Sequence, residues 1–356
     1  MAKIPISLIT GFLGSGKTSF LGQYLGTNND KGIAVIINEI GQVALDQRVL
    51  RSSVDYRKEQ MLYLNNGCVC CNRRVDLVES LKSVLNSYDL RGETLNRVII
   101  ETTGLANPAP ILWTLLSDTF LGAHFESQGV IACIDALNGF LHLENEEARE
   151  QIIFADRVLL TKTDLQGDLC VINALRAEIL GLNPSVEIFD KAILGGNYEC
   201  LFAQNGANHY ANQSKNSASR FANHSINPPN LARDSQDSQN FSNDSLKSHA
   251  QGFETLSIGF SGAIEWSGFG IWLSLLLHKY GTQILRVKGI IDIGEDFLVS
   301  INGAMHIIHP PTHIKKDSEC GSNIVFITRN LPKEKIIDSL KGFKSLLGMS
   351  EISINN

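Results

Sequence analysis

Residues 4–18 read IPISLITGFLGSGKT, an apolar run that leads into a glycine-rich loop ending in Lys17 and Thr18. From Gly11 onward the loop follows the pattern Gly-x-x-x-x-Gly-Lys-Thr, in which successive backbone N–H groups turn inward and hold phosphate oxygens. A strand before this loop and a helix after it place the phosphate at a helix N-terminus. The stretch therefore predicts a nucleotide-binding α/β fold. The alternative is a glycine-rich turn with an incidental lysine.

The loop also assigns roles to single residues. We expect Lys17 to reach the β- and γ-phosphates and to act as a catalytic residue, and the Thr18 hydroxyl to bind Mg²⁺. Both side chains sit where the helix begins, so their positions relative to the phosphates are fixed by the backbone. The other nucleotide-binding residues expected here are Gly11, Gly14, Ser15, Gly16 and Ser19.

A second apolar run, residues 98–100, ends in Glu101 and is followed three residues later by Gly104. A carboxylate at the carboxyl end of a strand faces the ligand crevice of an open α/β sheet. We expect Glu101 to be catalytic, either holding Mg²⁺ through water or orienting the attacking water. Gly104 would let its backbone N–H approach the γ-phosphate. A solvated strand-end glutamate is the alternative.

Residues 161–164, TKTD, follow another apolar run and resemble the Asn-Lys-x-Asp signature for guanine. The Asp164 carboxylate can accept hydrogen bonds from N1–H and the 2-amino group of guanine, and adenine lacks both donors. The stem of Lys162 would cover one face of the base. Thr161 replaces the Asn of the signature and so loses an amide that braces the loop. A polar turn capped by Asp164 is the alternative.

Residues 65–71, NNGCVCC, place three thiols within four positions after a turn. Thiolates favour zinc and other soft or borderline ions, and a tetrahedral site needs a fourth ligand. We therefore predict a transition-metal site at Cys68, Cys70 and Cys71. The fourth ligand stays open among Glu39, His124, His306, His309 and His313. Three structural thiols packed under a loop are the alternative, and Cys133, within an apolar run, is predicted to be a core residue.

Composition narrows the class of protein. The chain is 43% hydrophobic with a formal charge of −6, which argues against nucleic-acid partners because phosphate backbones recruit clustered Lys and Arg. It contains no apolar run of about 20 residues, so no membrane span is expected. Seven dispersed cysteines do not suggest a disulfide framework. These features predict a cytoplasmic protein in a reducing compartment.

Hydrophobic patterning divides the chain into three parts. In residues 1–203, near-continuous apolar runs at 4–9, 33–37, 98–100, 130–134, 158–160 and 186–189 alternate with helical patterns. This predicts a doubly wound, mostly parallel sheet. One predicted helix presents a stripe of Val75, Val78, Leu81, Lys82 and Leu85, in which Lys82 is the single polar break. Residues 204–252 are rich in Asn and Ser and are predicted to be a disordered linker.

Residues 253–356 are predicted to form a smaller C-terminal α+β domain. An amphipathic helix is expected at 266–280, and a closing helix is expected at 332–343. Strand-like runs lie between the helices at 284–293, 297–301, 305–308 and 323–328.

Five motifs occur in this order: the phosphate loop, Asn38-Glu39-Ile40-Gly41, the Cys-x-Cys-Cys loop, Glu101-Thr102-Thr103-Gly104 and the TKTD turn. The set resembles the CobW-type metallochaperone GTPases, which are relatives of the urease and hydrogenase nickel-insertion GTPases. In the C-terminal part, Arg286-Val287-Lys288-Gly289 and the stretch 324–329 resemble recurring stretches of the same family. Gln42 departs from the pattern, since relatives usually have Glu there.

The resemblance implies a P-loop GTPase domain with a CobW-like C-terminal domain. It further implies GTP hydrolysis with Mg²⁺, Zn²⁺ or Co²⁺ at the cysteine loop, and a first switch segment that contains Glu39 and Asp46. The expected function is a GTP-dependent metal chaperone or insertase that serves an unidentified client metalloprotein, with a homodimer as a candidate assembly. The alternatives are a regulatory GTPase with a structural zinc and a P-loop kinase, which Asp164 disfavours.

Overall fold

The computed structural model describes residues 2–28, 32–38, 61–64, 74–203, 252–316, 321–348 and 352–355. Its N-terminal part is built on a seven-stranded sheet in which every pairing is parallel, with strand order β3-β2-β4-β1-β5-β6-β7. The strands are β1 (Ile4–Thr10), β2 (Ile33–Asn38), β3 (Met61–Leu64), β4 (Arg97–Glu101), β5 (Phe125–Asp135), β6 (Arg157–Thr161) and β7 (Glu187–Asp190).

Helices cover both faces of this sheet. They are α1 (Lys17–Thr27), α2 (Arg74–Arg91), α3 (Ala109–Ser117), α4 (Thr119–His124), α5 (Gly139–Leu143), α6 (Glu146–Phe154), α7 (Thr163–Gln166), α8 (Leu169–Leu182) and α9 (Lys191–Leu194). Alternate strand residues point to opposite faces, so Ile6 and Leu8 pack in one apolar cluster and Ile9 packs in another. This confirms the predicted doubly wound fold. The crevice lies where β1 is flanked by β4 and β5, the point at which the strand order reverses.

Strand β5 contains a β-bulge next to the crevice strand β1. Ile6 is opposite Ser127, but Ser7 is opposite Gly129, so Gln128 is an extra residue in the ladder. Gly129 has a φ of +104°, and a Cβ there would lie 2.6 Å from the Asp156 carboxylate. The Val130 N–H that follows donates to Asp156 Oδ2 at 3.0 Å. Glycine at 129 therefore leaves room for the Asp156 carboxylate beside the middle of β5.

Two details of the N-terminal part differ from the sequence prediction. Strand β3 at the edge of the sheet was not predicted. The apolar face of α2 was also wrong at Val75, which is 61% exposed. The buried face of this helix consists of Leu77, Leu81, Val84 and Tyr88. Its four-three-four spacing is as regular as the predicted stripe, and contact with the sheet determines which stripe is buried.

The C-terminal part is an antiparallel sheet with the order β11-β10-β9-β13-β8-β14, and β12 pairs with β10. Its strands are β8 (Phe253–Phe260), β9 (Ile284–Asp292), β10 (Phe297–Ala304), β11 (Ile307–Ile308), β12 (Thr312–Lys315), β13 (Ser322–Arg329) and β14 (Ile352–Asn355). Helices α10 (Trp266–Tyr280) and α11 (Lys333–Gly342) pack on it around Trp272. The predicted α+β class is confirmed. The predicted strand at 305–308 is shorter because Met305 turns with a φ of +56°.

Ionic contacts join the two parts. Asp156, just before β6, accepts a hydrogen bond from Arg286 of β9 and lies 3.4 Å from the Lys288 ammonium. All three side chains are at most 7% exposed. The family-like stretch at 286–289 therefore supplies the cations of a buried joint. Two further hydrogen bonds join the two parts. Trp113 donates to His306 at 3.1 Å, and Arg329 donates to Glu150 at 2.6 Å.

Several predictions fall on residues outside the described ranges. They concern the linker 204–252 apart from Gly252, the first switch with Glu39, Gln42 and Asp46, and the cysteine loop. The domain boundaries at 203 and 253 stay predictions. Within the described ranges, no helix combines the length and apolarity that crossing a membrane would require.

Candidate functional site

The phosphate loop connects β1 to α1 at the crevice. Gly11, Gly14 and Gly16 have φ angles of +141°, +70° and +85°, which other residues rarely adopt. A Cβ on Gly11 would lie 2.3 Å from the carbonyl oxygen of Cys133 in β5, so the loop sits directly against the sheet. The predicted strand, loop and helix are therefore all present in order.

Lys17 is the first residue of α1, and its ammonium group lies beneath the loop. It donates hydrogen bonds to the carbonyl oxygens of Gly11 at 2.8 Å and Phe12 at 3.0 Å. The side chain is only 8% exposed. These contacts hold a buried positive charge in the concavity that the loop glycines line, where an anion would offset it.

Thr18 and Glu101 meet at the carboxyl ends of β1 and β4. The Thr18 hydroxyl donates to Glu101 Oε1 at 2.6 Å, and Glu101 is 4% exposed. A hydroxyl and a carboxylate side by side are hard oxygen ligands, which is the donor set that Mg²⁺ prefers. The donor set of Thr18 and Glu101 therefore fits a magnesium ion, which these two residues could hold.

Gly104 follows β4 and lies against the phosphate loop. An ideal Cβ at this position would lie 2.6 Å from Leu13 Cδ2 and 2.8 Å from the Leu13 backbone nitrogen. Any side chain there would push the two loops apart. Glycine at 104 therefore keeps the loop after β4 in van der Waals contact with the loop between β1 and α1.

Lys162 begins the predicted base pocket with a φ of +58°. Its ammonium donates to Asp135 Oδ2 at 2.7 Å and to the Gly14 carbonyl at 3.0 Å. Burial raises the pKa of Asp135, but hydrogen bonds from Lys162, Asn138 and the Leu137 N–H outweigh it and leave the pKa below its ordinary value. Asp135 therefore stays ionised and anchors the lysine.

Thr161 takes over the bracing that we expected its replacement of Asn to lose. Its hydroxyl group lies 2.8 Å from the Ser15 carbonyl and 3.2 Å from the Ile134 carbonyl, and the side chain is 1% exposed. The hydroxyl thus links the base-pocket turn to the phosphate loop and to β5.

Asp164 lines a cavity of about 890 Å³ between α1 and the turns after β6 and β7. Asp190 fixes these two turns to each other because it accepts a hydrogen bond from Thr163 Oγ1 at 2.6 Å. The neighbouring residues Asp164 and Lys191 both line the cavity as a result. Sequence reasoning missed Lys191. Its position directly after the last parallel strand, at the edge that carries the other site residues, was the available signal.

The predicted metal residues Cys68, Cys70, Cys71 and Glu39 lie outside the described ranges. Among described residues, no three His, Cys, Asp or Glu side chains come together as metal ligands.

The histidines that were candidates for the fourth ligand have other contacts in the structure. His124 contacts the Phe120 carbonyl, and His306 accepts a hydrogen bond from Trp113. The ring of His313 packs on Phe297. His124, His306, His309 and His313 all stay candidates for the fourth ligand on sequence grounds alone. Cys133 is a core residue at 1% exposure, as predicted.

Comparison with known proteins places the chain in a family. Residues 5–190 match the family described as CobW/HypB/UreG, nucleotide-binding domain, and residues 253–344 match the cobalamin synthesis protein cobW C-terminal domain. The zinc chaperone YjiA of Escherichia coli is 38% identical over 169 residues, covering 47% of this chain and 52% of that protein. The zinc-regulated GTPase metalloprotein activator 1 of Schizosaccharomyces pombe is 33% identical over 191 residues, covering 52% and 45%.

These matches span about half the length of the curated relatives. The crystal structure of Zn(II)-bound YjiA GTPase from E. coli superposes with a TM-score of 0.66 at 23% identity, covering 96% of this chain and 99% of that one. At this identity the likeness is one of fold, and it extends over both sheets. Since the first match alone spans more than half of the 356 residues, the chain belongs to the CobW/HypB/UreG family of nucleotide-binding proteins.

Proposed function

We propose that this chain binds and hydrolyses GTP, and that it uses the cycle to deliver zinc, or else cobalt, to a client metalloprotein. The observation that carries the nucleotide part is the 2.6 Å contact between Thr18 and Glu101 beside the buried ammonium of Lys17. The metal part is supported by the Cys-x-Cys-Cys loop, which falls within the family match. Relatives named zinc chaperones support it further.

Phosphate binding follows from the loop. Backbone N–H groups at the start of α1 and the Lys17 ammonium would hold the β- and γ-phosphates. Thr18 and Glu101 would hold Mg²⁺, which neutralises charge on the phosphate oxygens when bound. Glu101 is also placed to orient the attacking water, because it ends β4 directly beside the loop. These residues would stabilise the charge that develops as water attacks the γ-phosphorus and the bond to the departing GDP oxygen breaks.

Base selection would come from opposite charges in one cavity. The Asp164 carboxylate would accept hydrogen bonds from guanine N1–H and the 2-amino group, and the Lys162 stem would cover the ring. Lys191 adds a donor for guanine O6, at the position where adenine carries an amino group. An ammonium facing that amino group has no acceptor, so ATP would leave it unpaired.

Coupling between nucleotide and metal would run through residues 38–71. This segment begins at the end of β2 and contains the cysteine loop, so both ligands bear on the same stretch of chain. If zinc tightens GTP binding by some factor, GTP must tighten zinc binding by the same factor.

Nucleotide specificity in hydrolysis tests the first half of the proposal. GTP, ATP and XTP hydrolysis should be compared for the wild type, Asp164→Asn, Lys191→Met and the exposed control Lys344→Met. We expect Asp164→Asn to lose GTP activity by about a hundredfold and to gain XTP, since an amide donates to the 2-oxo group. Lys191→Met should weaken GTP about tenfold. Wild-type preference for ATP would contradict the proposal.

Zinc titration tests the second half. The wild type, the triple variant with Ser at Cys68, Cys70 and Cys71, and the exposed control Cys170→Ser should be titrated with and without a slowly hydrolysed GTP analogue. We expect zinc binding to be lost only in the triple variant and to tighten with nucleotide in the wild type. Equal affinities with and without the analogue would remove the coupling. Unfolding on chelation would instead favour a structural zinc.

A further inference from the structure

The loop after β4 is held from behind by a buried amide of α6. Gln151 Nε2 donates to the carbonyl oxygens of Gly104 and Ala106, each at 3.0 Å, and the side chain is 1% exposed. Both N–H bonds of the amide are thus used on one short loop. Gly104 is the residue of this loop that rests on Leu13 of the phosphate loop. A shift of Gln151 would therefore displace Gly104 and, through Leu13, the phosphate loop.

The end of the same loop is tied to α6 by a second contact. Asn107 Nδ2 donates to Glu150 Oε2 at 2.5 Å, while Asn107 Oδ1 accepts the Ala109 N–H at 2.8 Å, where α3 begins. Residues 104–107 are consequently held at both ends by neighbouring side chains of α6. The loop cannot move without breaking contacts to Gln151 or Glu150.

Helix α6 is in turn held by the C-terminal domain. Arg329, the last residue of β13, donates to Glu150 Oε1 at 2.6 Å and to Glu146 Oε1 at 3.0 Å. One oxygen of Glu150 therefore faces the loop and the other faces the C-terminal domain. The Glu150 side chain is 9% exposed, so this carboxylate is poorly solvated and depends on both partners.

The Gln151 amide also has a spare acceptor. Within the part of the chain that the structure describes, its buried Oε1 has no hydrogen-bond partner. An unsatisfied buried acceptor carries a desolvation cost that another loop arrangement, with an N–H turned toward it, would remove.

We propose that Gln151, Glu150 and Arg329 are positioning residues for recognition of the γ-phosphate, so that the C-terminal domain takes part in distinguishing GTP from GDP. Gln151 and Glu150 fix the Gly104 loop against the phosphate loop, and Arg329 fixes Glu150. This inference rests on the proposed GTP function. It gives the C-terminal domain a task within the nucleotide cycle, separate from any contact with a client.

The test compares two nucleotides that differ in one phosphate. Affinities of the full-length chain for a non-hydrolysable GTP analogue and for GDP should be measured for the wild type, Gln151→Met and Arg329→Gln. The exposed Lys341→Gln, which removes an ion pair with Asp338 in the same domain, is the matched control. We expect analogue affinity to fall about tenfold in Gln151→Met and about three- to fivefold in Arg329→Gln. GDP affinity should stay within about twofold, and Arg329→Lys should recover part of the loss.

The outcomes separate this inference from the function on which it rests. An equal loss of analogue and GDP affinity, or no loss in Arg329→Gln, would overturn the inference while leaving a GTP-binding protein. A wild type that binds neither nucleotide would overturn the proposed function and the inference with it. If Gln151→Met does not fold, Arg329→Gln decides, because Arg329 is 34% exposed and its replacement leaves no cavity in the core.

Discussion

Two buried aspartates at opposite ends of the parallel strands perform different tasks. We call the side of the sheet where the strands end the nucleotide edge, and the side where they begin the other edge. Asp135 ends β5 at the nucleotide edge and holds Lys162, whose side chain is 35% exposed. Asp156 precedes β6 at the other edge and holds Arg286 and Lys288, which are 2% and 7% exposed. A half-exposed cation can exchange its partner for a ligand, whereas a fully buried one cannot. The first pair is suited to binding and the second to a permanent joint.

The largest expected effect is the loss of stability when Asp156 is replaced. Asp156→Ala leaves Arg286 and Lys288 buried without their carboxylate, so the free energy of unfolding should fall by about 3–5 kcal/mol. Asp292→Ala breaks the partly exposed pair with Lys316 and should cost at most about 1 kcal/mol. Denaturant unfolding of both variants measures the difference. Similar losses would show that the Asp156 joint is no stronger than a surface ion pair.

The free energy of unfolding should fall in two stages as the pH decreases. Burial and the neighbouring Arg286 lower the pKa of His309 from its ordinary 6.5 to about 4. The unfolded chain therefore takes up the proton first, and stability should fall as pH drops from about 6.5 to 4. Burial opposes ionisation of Asp156, but Arg286 and Lys288 hold its pKa well below the usual range. Its contribution is therefore present above about pH 4 and lost below it.

Unfolding measured across pH separates these two stages. His309→Gln should remove most of the decline between pH 6.5 and 4 and leave the steeper decline below pH 4. An unchanged profile in this variant would assign the first stage to another group.

The smallest expected effect lies at the nucleotide edge. Asp135→Asn removes the anchor of Lys162. Affinity for GTP and for GDP should each fall about tenfold, because we propose that the lysine covers the base and does not reach the γ-phosphate. The free energy of unfolding should change by about 1 kcal/mol. Asn138→Ala, which removes only one of three hydrogen bonds to Asp135, is the matched control and should weaken binding about threefold or less. Calorimetric titration measures the affinities of both variants for GTP and GDP. A loss confined to GTP would contradict this role.

The two edges also differ in how far the sequence predicts them. Lys17 and Thr18 belong to one short motif, so their placement was predictable from neighbouring residues. Glu101 lies 83 residues after Thr18, and its placement was predictable because it ends a strand at the crevice. Asp156 and Arg286 are 130 residues apart, and nothing in either stretch names its partner. Lys191 was missed for a similar reason, since a polar residue after a strand resembles any turn. The face of α2 was misjudged at Val75 because two apolar stripes fit the same helical period.

The extra residue in β5 offsets the alternation of side chains along that strand. Because Gln128 has no partner in β1, Phe125 packs on the same side as Val130, and Ile131 packs on the other side. Deleting this one residue would leave a regular ladder in which every other residue of β5 keeps its partner and its side of the sheet. Phe125 would stay in its cluster, and Asp135 would stay at the crevice. Removal of Gln128 should therefore disturb the local bend and the contact of Gly129 with Asp156 more than the assignment of side chains to the two faces.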